Sequence, residues 1–197
     1  PPGYTVAATG VLNSKTTEGG MVDWQFQAEN VIDFAWFTSP AFRHEKYTGV
    51  VAGQNKVDLN VYYDPRDSVL WSKAGVYAAR ALEFYSDWLG AYPYQQMSVV
   101  SAPLSAGGGM EYPMVAQIGY MEDSASLDLV IAHEIGHTWL YGILANNERA
   151  HPWMDEGLNS FIEAQYTAKY QPAYREAYLP REYTTRASMD QVDALQH

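Results

Sequence analysis

His133 and His137 stand four residues apart in the segment IAHEIGHTWLYGILANNERAHPWMDEGLNSF, which runs from Ile131 to Phe161. On an α-helix a four-residue step advances about 400°, so the two imidazoles lie about 40° apart on one face, one turn above the other. Both rings can then grip one ion. Glu134, about 100° round the helix from His133, is badly placed as a third ligand but within reach of a water held by that ion, the position of a general base. A catalytic zinc site takes three protein ligands and keeps one position open, so a third ligand must follow. A histidine six positions after His137 is excluded, because Ile143 stands there. Glu156, nineteen positions after His137, is the stronger candidate. The intervening chain can finish one helix, turn through the polar residues Asn146 to Pro152 and start a second helix packed on the first.

With these residues in view, HEIGHTW followed by the glutamate of WMDEG resembles the gluzincin zinc aminopeptidases, the aminopeptidase N and leukotriene hydrolase family. Upstream, GGGMEYP (Gly107 to Pro113) is similar to that family's G-[AG]-M-E-N exopeptidase motif, with Tyr112 where asparagine is usual. The resemblance covers roughly residues 20 to 190. It implies an α+β fold: a thermolysin-like zinc metallopeptidase catalytic domain preceded by the end of an antiparallel β domain. It also implies that Glu111 receives the substrate's free α-amino group. Gly108, Gly109 and Met110 then form the substrate loop, where glycines let a backbone approach a ligand closely. In zinc peptidases of this group a strand edge lies along the substrate, and residues 107 to 120 are expected to supply it.

Other residues in the segment have plainer readings. Asp155 is read as the N-cap of the second ligand helix, since an aspartate there would satisfy an orphan amide. Trp139 and Trp153 are read as packing residues. His44, His151 and His197 have no motif around them and are read as surface residues.

The chain has a net charge of -11, which disfavours nucleic acid and anionic membranes as partners. It has no cysteine, so a disulfide scaffold, a thiolate metal site and a cysteine nucleophile are excluded, and the metal site must use nitrogen and oxygen. Hydrophobic residues at 47% suffice for a packed core, and the apolar runs are too short to span a membrane. Composition leaves the compartment undecided.

From Gly3 to Tyr63 the segments TVAATGVLN, VDWQFQAEN, VIDFAWFTS and KVDLNVYYD are rich in β-branched and aromatic residues and read as strands. In the last, Val57, Leu59, Val61 and Tyr63 share one face. A turn at Asp64–Asp67 suggests a boundary between residues 1–65, the β-domain remnant, and 66–197, the catalytic domain. Ser68 to Gly90 reads as one long helix, MSVVSAP and MVAQIGY as short strands, and the zinc helix as capped by Ser124 or Ser126 and running to about Ala145. The second ligand helix is expected to end near Tyr170, with a further helical piece from Pro172.

The function implied is removal of N-terminal residues from peptides by one zinc ion and an activated water. An endopeptidase or bifunctional hydrolase of the same clan, and a non-catalytic zinc-stabilised binding module, stay open as alternatives. In the resembled family a tyrosine well beyond the third ligand stabilises the oxyanion. Tyr166, Tyr170, Tyr174, Tyr178 and Tyr183 come too early to match it, so the chain is expected to be a fragment, nearly inactive alone, that lacks flanking domains and is prone to self-association.

Overall fold

The protein is described by a computed structural model that covers residues 1–105 and 108–174. Its α+β architecture is built on a five-stranded sheet in the order β5-β6-β7-β9-β8. β5 (Arg43–Ala52) and β6 (Asn55–Tyr63) form an antiparallel hairpin. β7 (Gln96–Ser101) and β9 (Val115–Ile118) run parallel to β6, and β8 (Gly109–Met110) closes the far edge antiparallel to β9. Strands from both sides of the Asp64–Asp67 turn therefore share one sheet.

The alternation read in β6 sets the core: Val57, Leu59, Val61 and Tyr63 are all buried on the face covered by helices. A parallel step from β6 to β7 needs a crossover connection, and α1 (Ser68–Trp71) and α2 (Ala74–Leu89) supply it. The helical segment is interrupted at Ser72 and Lys73 rather than continuous. Ala78, Ala81, Leu82 and Tyr85 of α2 meet Leu127, Ile131 and Ile135 of α3 (Ser124–His137) over the sheet. A smaller cluster of Ala7, Tyr62, Val100 and Val115, with Phe37 and Tyr112 against it, joins the opposite face to β1 (Thr5–Ala8) and β4 (Trp36–Ser39), which pair with each other. β2 (Val11–Glu18) and β3 (Met21–Gln27) make a separate hairpin.

Three local readings change. TVAATGVLN is two strands in different sheets: Gly10 has φ +100°, and a Cβ there would lie 2.4 Å from the Gln27 carbonyl oxygen, so the chain turns sharply at a residue that must be glycine. VIDFAWFTS is strand only at Trp36–Ser39, and β5, a charged edge strand with a register irregularity between Tyr47 and Val50, adds a strand that was not read from sequence. The α3 cap is neither Ser124 nor Ser126 but Asp123, whose carboxylate accepts from the Ser126 amide at 2.8 Å.

α3 continues as π-helical turns through Ile143 and stops at Ala145, at φ 50°. Trp139 is buried, stacks on Tyr85 at 5.8 Å and donates to the Gly90 carbonyl at 2.9 Å. The packing role read for it holds, whereas Trp153 is 54% exposed. Residues Trp153–Gly157 form a π turn that leads into α4 (Leu158–Tyr170). Pro172 to Tyr174 are helical. Gly107, Tyr178, Tyr183 and His197 lie outside the described residues. No helix among the described residues is long and apolar enough to cross a membrane.

A buried ionic knot ties α2, α3 and α4 together. Asp128, fully buried, pairs with Arg80 and accepts from the Tyr166 hydroxyl at 2.7 Å and from Gln171 at 2.5 Å. Arg80 also donates to the Tyr166 oxygen at 2.9 Å. Removing one member of a buried pair strands the other, at a cost of about 3–5 kcal/mol. Arg80→Met should therefore lower unfolding stability by about that amount, measured by urea denaturation followed by circular dichroism.

Candidate metal centre

α3 presents His133 and His137 on one face, and the π turn before α4 brings Glu156 across to them. His137 Nε2 is 3.0 Å from His133 Nε2, His133 Nε2 is 3.2 Å from Glu156 Oε2, and His137 Nε2 is 3.7 Å from the same oxygen. For a tetrahedral ion with bonds of about 2.0–2.1 Å, ligand atoms are separated by about 3.3 Å. The three distances bracket that value.

The other ring nitrogens decide what these atoms can hold. His133 Nδ1 lies 2.9 Å from Glu163 Oε2, and His137 Nδ1 lies 2.5 Å from Asp155 Oδ1. An ionised carboxylate only accepts, so each Nδ1 carries the hydrogen and each Nε2 turns a lone pair into the cleft. With the imidazoles neutral, three acceptor atoms converge on a point where a cation fits. Without an ion, the surrounding carboxylates draw protons there instead. Burial works to lower the His133 pKa, but Glu156, Glu163 and Glu134 outweigh it and raise it to about 10. At His137 burial is likewise overcome, chiefly by Asp155. The carboxylates that pull protons onto the imidazoles would equally hold a divalent ion, and the nitrogen and oxygen donors suit zinc.

Glu134 points to the same cleft from inside α3, 5% exposed. Burial pushes its pKa up to about 8, against His133 and His137. A Cβ on Gly109 would lie 2.4 Å from Glu134 Oε1, so β8 runs directly against this carboxylate. Gly108 (φ +70°), Gly109, Met110 and Glu111 line a cleft of about 580 Å³ together with the histidines, Glu134 and Glu156. Glu111 reaches within 4.8 Å of Glu134 and His137, and its pKa is raised by burial, with Asp155 and Glu148 adding to the effect against His137. His44 and His151 are exposed and outside this cluster.

Three participants were missed from sequence. Asp155 caps no helix amide: it is 2% exposed and hydrogen-bonded to His137, because the turn before α4 is a π turn that points its carboxylate inward. Glu163 lies seven residues beyond Glu156, two turns along the same face, a periodicity that could have flagged it. Glu148, on the connector after α3, converges on Glu111 and Asp155 with ligand atoms within 4.8 Å, and no spacing rule foretells that. Tyr166 is engaged by Asp128 and Arg80, a packing role.

Residues 76–197 match the model of the peptidase family M1 domain. The chain belongs to peptidase family M1. Over 87 residues it is 31% identical to leukotriene A-4 hydrolase of Xenopus laevis, covering 43% of this chain, and over 126 residues 28% identical to aminopeptidase M1-C of Oryza sativa subsp. japonica, covering 58%. The chain spans only 14% of the length of each of these relatives. Its fold is that of M1 zinc metallopeptidases: a mutant of the Deinococcus radiodurans enzyme superposes with a TM-score of 0.70 at 18% identity, over 94% of this chain and 43% of that one. A structure of the same mutant enzyme with a Tyr-Ser-Ala substrate matches with a TM-score of 0.64 at 19% identity, over 86% of this chain and 39% of that one.

Partners that orient ligating histidines are worth about 10- to 100-fold in metal affinity. Asp155→Ala should therefore weaken zinc binding by about 10- to 100-fold, read by competition with a chromophoric chelator, with helix content unchanged by circular dichroism.

Proposed function

We propose that this M1 chain carries the catalytic centre of a zinc aminopeptidase that cleaves peptides one residue from a free N-terminus. The observation that carries the reading is the convergence of Glu111, Glu148 and Asp155 beside the His133, His137 and Glu156 cluster. Asp155 is committed to His137, which leaves the Glu111 and Glu148 carboxylates to receive a cation. An ammonium group fits that end of the cleft, since a charge-assisted hydrogen bond to a carboxylate is among the stronger contacts a protein can make. Glu111 also lies within 4.8 Å of Glu134 and His137, so an amine held there leaves room for a single residue before the reacting carbonyl. The names of the curated relatives, an aminopeptidase and a leukotriene hydrolase, agree with this class.

His133, His137 and Glu156 would hold one zinc ion, with Glu163 and Asp155 fixing the two rings. An ion held there would supply Lewis acidity to a substrate carbonyl and to a water. Glu134, buried and lining the cleft beside His133 and His137, is placed to exchange a proton with a water held there. It takes the proton of the attacking water and passes it to the departing amine, so acid and base are one group used twice. β8, whose outer edge is unpaired among the described residues, would offer that edge to the peptide backbone, and the absence of a side chain on Gly109 keeps β8 against Glu134.

Hydrolysis of a dipeptide anilide with a free amine, compared with its N-acetylated form before and after chelation, tests the reading. A preference for the free form, even at the low rate expected of this chain alone, lost with chelator and restored by zinc, is expected; equal turnover of both forms would sink it. Glu134→Gln should keep zinc while lowering kcat by about a hundred- to ten-thousandfold. Glu111→Ala should raise KM for free-amine substrates and narrow the preference over acetylated ones, with zinc affinity retained. If both substrate forms lose rate equally, Glu111 does not read the amine.

A further inference from the structure

Asn159 is fully buried three residues beyond Glu156, and both ends of its amide are committed. Its Nδ2 donates to the His133 carbonyl oxygen at 2.8 Å, and its Oδ1 accepts from the Tyr85 hydroxyl at 3.1 Å. Tyr85 is itself fully buried and held by its stack on Trp139. Opposite the amide, α3 carries no side chain: a Cβ on Gly136 would lie 2.1 Å from Asn159 Oδ1 and 2.5 Å from the Tyr85 ring. The crossing of α3 and α4 thus sits between the two histidines in sequence and directly behind the lone-pair cluster. Burying an amide costs free energy that an apolar residue of similar size would not incur. Packing alone therefore does not account for asparagine here, whereas a directional bond between two helices does.

We propose that Asn159 is a positioning residue that sets the register between the two helices, holding Glu156 at metal-binding separation from His133 and His137. The inference rests on the assignment of those three residues as zinc ligands. It differs from the roles of Asp155 and Glu163, which orient individual rings. Asn159 instead grips the backbone carbonyl of His133, using the oxygen's spare lone pair, and so ties one ligand's main chain to the helix that carries the third ligand.

The test uses the full chain, with zinc affinity measured by chelator competition, the visible spectrum of the cobalt-substituted protein, and thermal unfolding of the metal-free protein. Asn159→Ala should weaken zinc by about 10- to 100-fold, as loss of outer partners does, and change the position and intensity of the cobalt d–d bands. Asn159→Asp should do the same, since it sets a carboxylate against the carbonyl in place of a donor. Ile162→Ala, which loosens the same helix through lost packing alone, should lower the unfolding temperature with the cobalt spectrum unchanged. An Asn159→Ala protein that is less stable yet keeps wild-type zinc affinity and cobalt spectrum would overturn the proposal and leave Asn159 a purely structural residue. Should that variant fail to fold, Asn159→Ser, which retains a donor of shorter reach, should show intermediate zinc affinity, and wild-type affinity would overturn the proposal equally. Zinc uptake that survives intact in His137→Ala would instead remove the ligand assignment and this inference with it.

Discussion

The helix with His133 and His137 can lie against the segment with Glu156 only because residue 136 has no side chain. A Cβ there would lie 2.1 Å from Asn159 Oδ1 and 2.5 Å from the Tyr85 ring, so the side chains that hold the crossing would have to shift. From that close approach the rest follows. Asn159 reaches the His133 carbonyl, Glu163 reaches the His133 ring, and the turn before α4 delivers Asp155 to His137. Tyr85, the deepest aromatic of α2, closes the crossing from the third side, so the ligand geometry is coupled to the packing of the helix layer on the sheet.

That arrangement concentrates negative charge. Glu111, Glu134, Glu148, Asp155, Glu156 and Glu163 all face one cleft, with Arg149 on its rim. In a half-buried site such a collection is unfavourable unless positive charge joins it: carboxylates overcome burial to raise the pKa values of His133 and His137, while burial itself raises those of Glu111 and Glu134. On the proposed function, a metal ion at the histidine end and a substrate ammonium at the Glu111 end would supply that charge. A chain with net charge -11 would also repel anionic ligands at a distance. Elsewhere the molecule neutralises buried charge internally, as at Arg80 and Asp128; in the cleft it leaves charge to be met from outside.

The cleft is also an edge. β8 contributes just two residues to the sheet, and its outer side is unpaired among the described residues. A short, glycine-containing edge strand is a poor template for accidental pairing along its length, yet it offers enough backbone to orient a short peptide. Its contact with Glu134 links the strand that would hold substrate to the helix that would act on it.

Much of this was legible before any fold was known, and the reason is periodicity. A helix repeats every 3.6 residues and a strand every two, so the pairing of His133 with His137, the offset of Glu134 and the buried face of β6 follow from position alone. The family resemblance carried by HEIGHTW, WMDEG and GGGMEYP supplied Glu156 and Glu111, which no local period links to the histidines. Beyond that reach lay every feature that depends on two distant segments meeting. Asp155 looked like a cap because caps and buried acceptors share a residue type, and only the π turn aims it at His137 rather than at an amide. Glu148 and Asn159 gained their surroundings from the return of the chain after α3, and β5 its place from hydrogen bonds to β6 that its mixed residues do not advertise. Sequence by itself pointed to His133 and His137 as a pair on one face and to Glu156 as the candidate third ligand; how closely they are held, and by what, was decided by the tertiary structure, because separations of 3 Å between segments twenty residues apart are set by packing and not by chain spacing.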